Sequence, residues 1–356
     1  MIQKLTVIGG GATGHGVAAV MASKGLSVTL YDDERFAERF QKIEELGGIE
    51  VRGRVHLIGK PDRVTTDVKE AVSDADAIFV HVMSDRHEEI ARKIAPYLHD
   101  GQHIVIFPGN LGSFVFRRVF EELHVTADVT VSEKEGNFFP CRLSGDAEVT
   151  VGMPLNLKGR IASLPSKDTP RVIEALKPIL DYAPNQNVLE GAMNAGNVIM
   201  HIASTLLSSA EIQHKGKAFS LFKYAFTPAA VSCASAIREE RLAVMQAIGM
   251  PEHANQIGFI KKIQEIDANP ELKVFYEHMD GPYALDHRYI HEDCGCGGAL
   301  ISSVGKRSGI KTPVLDSFIT IAGAINHRDY FGKDGRTLEA LGFAPELSYE
   351  EINKQI

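Results

Sequence analysis

The stretch His287–Gly298, HRYIHEDCGCGG, sets two imidazoles, a guanidinium, two adjacent carboxylates and two thiols among three glycines. Three chemistries fit such a set. His287, His291, Cys294 and Cys296 carry atoms that ligate zinc, but the C-x-C spacing is shorter than the usual two-to-four-residue gap and a second cysteine pair is missing, so no metal is expected. A disulfide between Cys294 and Cys296 would close a short, strained ring, which a reducing compartment does not favour. The third chemistry is one half of a proton-handling site, completed by a group elsewhere in the chain. His201, in the apolar run GNVIMHIASTLL, is a candidate, with Asn197 one helical turn earlier and on the same face. A lone histidine on an apolar helix is more often a core residue than a catalyst, so His201 needs a partner before it carries chemistry.

The frame that would position these groups follows from size and pattern. A chain of 356 residues is too long for one ordinary core and suits two domains. Hydrophobic content of 44% with 24% charged residues is ordinary for a globular chain that buries a sizeable core. The net charge of −8 leaves no basic footprint for nucleic acid or anionic lipid. An anionic ligand must therefore be met by a few local cations and backbone amides. Four cysteines, only two of them close together, make no disulfide framework. The run MIQKLTVIGGG passes from methionine into a strand-like segment without the marks of a secretory leader, so a cytoplasmic location is expected. The apolar stretch from Gly196 is broken by His201, serines and Glu211 and reads as a buried helix, not a bilayer span.

Residues 4–34, KLTVIGGGATGHGVAAVMASKGLSVTLYDDE, read as strand, glycine turn, helix, strand. Gly9, Gly11 and Gly14 fit G-x-G-x-x-G, with Ala12 and Thr13 opening the helix. The first glycine permits the turn, the second lets the backbone approach a pyrophosphate, and the third packs helix against strand. The helix N-terminus then offers unpaired N–H groups to phosphates. Asp32, at the end of the second strand, is placed for the adenosine ribose hydroxyls and would repel a 2′-phosphate, which favours NAD; Arg35 is the nearby cation that would admit NADP. The alternative is that the glycines serve only a tight turn and Asp32 caps the next helix.

Strand and helix signals go on alternating. Residues 76–82, 103–109 and 128–133 read as strands, and 84–98 as a helix with an Asp85/Glu88 capping pattern and an apolar stripe. This predicts a Rossmann-type, doubly wound parallel sheet. Residues 147–165 lack a helical period and suggest an antiparallel hairpin, and a helix near Thr169 to Asp181 closes the domain. The punctuation APNQN marks a boundary, giving a dinucleotide-binding domain over 1–186 and an all-α domain over 187–356.

The C-terminal half resembles the octopine/nopaline (opine) dehydrogenase family, in which an R-Y-x-x-E-D segment leads into a glycine-containing helix, then G-hydrophobic-x-T-P and finally G-R-T-L-x-x-L-G. The matching residues are Arg288, Tyr289, Glu292 and Asp293; Gly309, Thr312 and Pro313; and Gly335 to Leu338, Leu341 and Gly342. Upstream, GNVIMH is similar to the family's Asn and His segment, ERLAVMQAIG (240–249) to its E-R helix, and Glu133 with Arg142 to its E to R spacing. The resemblance implies a two-domain, NAD(P)-dependent dehydrogenase. It joins the amine of an amino acid to a small α-keto acid such as pyruvate and reduces the imine.

It further implies that the catalytic histidine is His201, its carboxylate partner Asp293 and the substrate-binding arginine Arg288. The physical reading agrees: Asp293 precedes a glycine-flanked turn into GGALISSVGKRS, so it is expected at a helix N-terminus, where the macrodipole favours its ionised form. An ionised aspartate holds an imidazole in one tautomer and stabilises its cation. An arginine fork binds both oxygens of a carboxylate. Asn197 is assigned to substrate or nicotinamide, and Glu133 to the ammonium of the amino acid. A homodimer is compatible with the sequence, which does not set the oligomeric state. One departure stands out: where the family commonly has E-D-hydrophobic-P-aromatic-G, this chain has Glu292, Asp293, Cys294, Gly295, Cys296 and Gly297, which should loosen that wall of the pocket. Two alternatives remain, a 2-dehydropantoate reductase-like keto-acid reductase and a non-catalytic NAD(H) sensor.

Overall fold

The computed structural model describes residues 2–155 and 157–356. The chain divides into two compact units, Met1–Gly191 and Ala192–Ile356.

The first unit holds two sheets. Its strands are β1 (Lys4–Ile8), β2 (Ser27–Tyr31), β3 (Ile49–Gly53), β4 (Leu57–Gly59), β5 (Arg63–Thr65), β6 (Ala77–Val80), β7 (His103–Ile106), β8 (Thr130–Lys134), β9 (Cys141–Gly145), β10 (Glu148–Val151), β11 (Lys158–Leu164) and β12 (Asp181–Pro184). The large sheet runs β12-β11-β8-β7-β6-β1-β2-β5. From β8 to β5 every pairing is parallel, as the alternating pattern predicts. Strands β1, β6 and β7 are almost wholly buried, which is why they read as continuous apolar runs. The smaller sheet, β4-β3-β10-β9, has no counterpart in the sequence pattern.

The helix Ala12–Ser23 packs against β4, β3, β10 and β9 as well as β1 and β2. Residues 14–21 are buried all round, so the helix carries no polar stripe. Two backbone approaches require glycine. A Cβ on Gly59 would stand 1.9 Å from the carbonyl oxygen of Ala19, and one on Gly16 would stand 2.7 Å from the Phe139 ring.

Three local expectations are corrected. Residues 147–165 are no hairpin: β10 belongs to the small sheet, while β11 crosses to the large one and pairs antiparallel with β8. The helix at 169 stops at Leu176, and 181–184 form a parallel edge strand beside β11. Around 84–98 the regular α-helix spans only His87–Ile94, flanked by single 3-10 turns, and the Asp85/Glu88 cap is not the device that starts it.

In the second unit the described residues form helices and one isolated bridge, Ser220 to Gly281. The helix Asn197–Leu207 lies at its centre, against the long helix Pro228–Ala247, the segment 288–298 and the helix Pro313–Asn326. Adjacent residues of the E-R pair tie this bundle together. Glu240 accepts the Val314 and Leu315 N–H groups at 2.8 and 2.9 Å, capping the Pro313 helix with negative charge. Arg241, fully buried, bonds Glu252 and Gln256, each at 2.9 Å. Among the described residues no helix is long and apolar enough to cross a membrane.

Candidate active site

The nucleotide end of the first unit turns on glycines, two of which, Gly9 and Gly14, no other residue replaces. After β1 the chain turns through Gly9 at φ +111°. A Cβ there would meet the His81 carbonyl oxygen at 2.4 Å, and one on Gly14 would stand 1.7 Å from the Gly9 carbonyl oxygen. Side chains at either position would drive strand and helix apart. Gly11 differs, because a Cβ there meets nothing within 4 Å, and it precedes the helix Ala12–Ser23 with no side-chain cap. Open ground before an uncapped helix start, with Ala12 and Thr13 in its first turn, suits a pyrophosphate. On that observation the residues fit a dinucleotide.

Asp32 is buried. Its Oδ2 accepts the Gly10 N–H at 2.6 Å and its Oδ1 accepts the Asp33 N–H at 2.8 Å, so it braces the glycine turn. Arg35 is exposed and donates to Asp33 at 3.0 Å.

Glu133 is engaged by the loop after β7. Its Oε2 accepts the Leu111 N–H at 3.0 Å, and its Oε1 accepts the Ser113 N–H at 2.8 Å and the Ser113 hydroxyl at 2.5 Å. Asn110 and Leu111 both have positive φ, a strained turn that this carboxylate holds in place. A Cβ on Gly109 would lie 2.0 Å from Glu133 Oε2. With its oxygens accepting from the loop and only 3% exposed, Glu133 braces residues 109–113.

In the second unit His201 and Asp293 meet. His201 Nδ1 lies 2.7 Å from Asp293 Oδ2, and both side chains are buried. A carboxylate at that distance takes the Nδ1–H and presents Nε2 as the other working nitrogen of the ring. Asn197 hydrogen-bonds the same carboxylate, so the pair of residues four apart on the helix, Asn197 and His201, both face Asp293. Arg288 contributes its charge to Asp293, lies over the Tyr289 ring at 5.2 Å and stands 3.8 Å from Glu292. The residues expected to form the site within this unit are therefore neighbours.

The expectation that a helix N-terminus favours the charge of Asp293 is overturned. The carboxyl does not begin a helix. It follows the helical turn Arg288–Glu292 and opens a π-helical turn, Asp293–Gly298, that runs on into the helix Ala299–Ser308. Mid-helix, it has no macrodipole terminus to favour its charge. Burial pushes its pKa up to about 7, opposed by the Arg288 charge and the Asn197 hydrogen bond.

The π turn also explains CGCGG. Insertion of an extra residue into the helical ladder swings the segment toward its neighbours, and glycines make room for them. A Cβ on Gly297 would stand 2.5 Å from the Val198 side chain, and one on Gly295 would stand 3.0 Å from the Tyr330 ring. The wall is not loosened: Val198 and Tyr330 fill the space, and the G-R-T-L segment latches onto it through the Arg336 N–H, which donates to the Gly295 carbonyl at 2.8 Å. The histidines and the buried thiol of this stretch have local work. His287 caps the turn by accepting the Tyr289 N–H at 3.2 Å, and His291 bonds the Tyr330 hydroxyl at 2.6 Å and also contacts Asp286. The Cys294 thiol is buried and pushed well up by that burial. Tyr289, stacked on the His201 ring, receives no role from sequence reasoning, although its place beside Arg288 in the R-Y signature is the signal that could have found it.

Residues 184–326 match the model of the NAD/NADP octopine/nopaline dehydrogenase α-helical domain, and residues 4–113 that of the NAD-dependent glycerol-3-phosphate dehydrogenase N-terminus. The chain is 32% identical to an opine dehydrogenase from Arthrobacter sp. (strain 1C), over 97% of each chain. In fold it is similar to octopine dehydrogenase solved with NADH and L-arginine, with TM-score 0.68, 19% identity and coverage of 98% of this chain and 97% of that one. It is likewise similar to yersinopine dehydrogenase with NADP+ bound, with TM-score 0.66, 13% identity and coverage of 99% and 98%. Full-length identity at this level, together with the paired His201 and Asp293, places the chain in the opine dehydrogenase family, the NAD(P)-dependent oxidoreductases that condense an amine with a keto acid and act on the CH–NH group.

Proposed function

We propose that His201, Asp293 and Arg288 carry the condensation of an amino acid with a small α-keto acid such as pyruvate. The observation behind this reading is the buried 2.7 Å contact between His201 Nδ1 and Asp293 Oδ2, flanked by Arg288 and Asn197. The relatives add support, since octopine dehydrogenase has been solved with NADH and L-arginine and with NADH and pyruvate.

Arg288 anchors the keto acid carboxylate through its planar fork, which fixes the carbonyl relative to the imidazole. His201, protonated and held by Asp293, donates from Nε2 to the carbonyl oxygen as the amine nitrogen bonds to the carbonyl carbon. The neutral imidazole then takes a proton from the carbinolamine nitrogen and passes it to the hydroxyl, which leaves as water as the nitrogen lone pair forms the C=N bond. The nicotinamide, when bound, supplies the hydride that reduces this bond. Asp293 keeps the ring in one tautomer through both proton movements, and Asn197 fixes the carboxylate that does so. Gly9, Gly11, Ala12, Thr13, Gly14 and Asp32 hold the dinucleotide, with the first unit as its domain and the second as that of the substrate.

The test is NADH oxidation with pyruvate and a panel of amino acids, followed by mass spectrometry for N-(1-carboxyethyl) products. Oxidation that needs no amine would instead identify a keto-acid reductase. Silence across a broad panel of both substrates would remove the proposal.

A further inference from the structure

At the carboxyl edge of the large sheet, one acid gathers three cations. Asp33 follows Asp32 at the end of β2. Its Oδ2 accepts from Arg86 at 2.5 Å and from Arg35 at 3.0 Å, and its Oδ1 accepts from Lys93 at 2.6 Å. Arg86 and Lys93 belong to the segment after β6, and β6 and β2 flank β1 on either side in the sheet. The Asp33 side chain is 16% exposed, Arg86 20% and Lys93 35%, so the cluster is partly withdrawn from water. Burial pushes the Asp33 carboxyl up, but hydrogen bonds from Lys93 and Arg86 outweigh it and hold it at about 2. Glu89 takes the remaining reach of the same cations, 2.9 Å from Arg86 and 2.7 Å from Lys93.

This cluster adjoins Asp32, whose place at the end of the second strand is where this fold reads the adenosine ribose. The 2′-oxygen of that ribose is either a hydroxyl, in NAD(H), or a phosphomonoester, in NADP(H). A phosphomonoester needs cations, and three stand here already. Each is engaged by a carboxylate that the chain itself supplies.

We propose that Asp33 sets the cofactor preference by occupying, as an internal counter-anion, the Arg35, Arg86 and Lys93 cluster that a ribose 2′-phosphate would otherwise use. The inference rests on the dinucleotide reading of the glycine cradle. With Asp32 beside it the protein is an NAD(H) enzyme, and neutralising Asp33 alone, with the Asp32 charge retained, opens an existing cation site to NADP(H). An arriving 2′-phosphate would have to displace Asp33 from Arg86 and Lys93 and then share the site with its negative charge. Without that charge the cations remain, held at one side by Glu89, and turn to the phosphate.

The experiment is equilibrium binding, read by NADH and NADPH fluorescence and, without nicotinamide, by calorimetry with ADP against adenosine 2′,5′-bisphosphate. The wild type is expected to bind NADH at least about tenfold more tightly than NADPH. Asp33→Asn and Asp33→Ser should shift the NADPH to NADH affinity ratio by tenfold or more toward NADPH, and adding Arg86→Gln should remove the gain. In the otherwise unaltered chain, Arg86→Gln and Lys93→Gln should each leave NADPH affinity within about threefold, because Asp33 already holds those cations. Wild-type parity between the cofactors, a folded Asp33→Asn protein with an unchanged ratio, or a tenfold loss of NADPH affinity in either single cation variant would each overturn the assignment. Failure of both dinucleotides and ADP to bind would strike the cradle reading instead, and is thereby distinguishable.

Discussion

The His201 ring lies flat on the Tyr289 ring, centroids 3.6 Å apart and planes 16° from parallel. Asp293 fixes the imidazole within its plane through Nδ1, and Tyr289 stops it tilting out of that plane. Together they remove the ring's rotation and aim Nε2. Stacking of this kind contributes about 1 kcal/mol. Tyr289→Leu should therefore lower kcat by about tenfold with little change in KM, while Tyr289→Phe stays within about twofold, measured by steady-state kinetics on folded variants. Equal loss in both variants would assign the effect to the hydroxyl and not to the stacked ring.

His201→Ala and Asp293→Ala should lower turnover by roughly two to four orders of magnitude. NADH affinity, followed by fluorescence titration, should change little, since neither residue belongs to the glycine cradle. A parallel loss of cofactor binding and turnover would point to a structural role for the pair.

Arg288→Lys keeps the charge and loses the fork. If Arg288 anchors the keto acid carboxylate, the KM for keto acid should rise about tenfold or more while the KM for the amino acid moves less. A rise confined to the amino acid would transfer the arginine to the other substrate.

Burial sets the Asp293 carboxyl at about 7, above an unfolded value near 4. The folded chain keeps this proton over a range of pH in which the unfolded chain has already lost it, so the group costs stability as pH rises from about 4 to about 7. Relative to Asp293→Asn, the wild type should lose on the order of 1–3 kcal/mol across that window, by urea unfolding, and no more above it. A gain with rising pH would mean that Arg288 and Asn197 outweigh burial.

Gly109→Ala places a methyl 2.0 Å from Glu133 Oε2. We expect a loss of about 1–3 kcal/mol in thermal or urea unfolding, since neither partner has room to move. The double variant Gly109→Ala with Glu133→Ala should lose less than the sum of the two single changes, because the clash and the brace are one contact.

The amino-acid sequence by itself determined the parallel sheet, the glycine cradle and the helical second half. Each is written in short-range terms: apolar runs for buried strands, glycines at fixed offsets, and an apolar period for helices. It also carried His201, Asp293 and Arg288, through motifs whose order is local even though the residues are not. Tertiary structure alone decided the rest. Nothing in residues 147–165 says that β10 and β11 join different sheets, because strand partners are chosen by segments far away in the chain. Glu133 looks like any buried acid until Leu111 and Ser113 are folded onto it. Asp293 has the sequence setting of a helix cap favoured as a charge, yet a π turn places it mid-helix, and desolvation by its packed neighbours raises its pKa. An ionisation state depends on every group that surrounds the carboxyl in space, and only the packed chain brings those groups together.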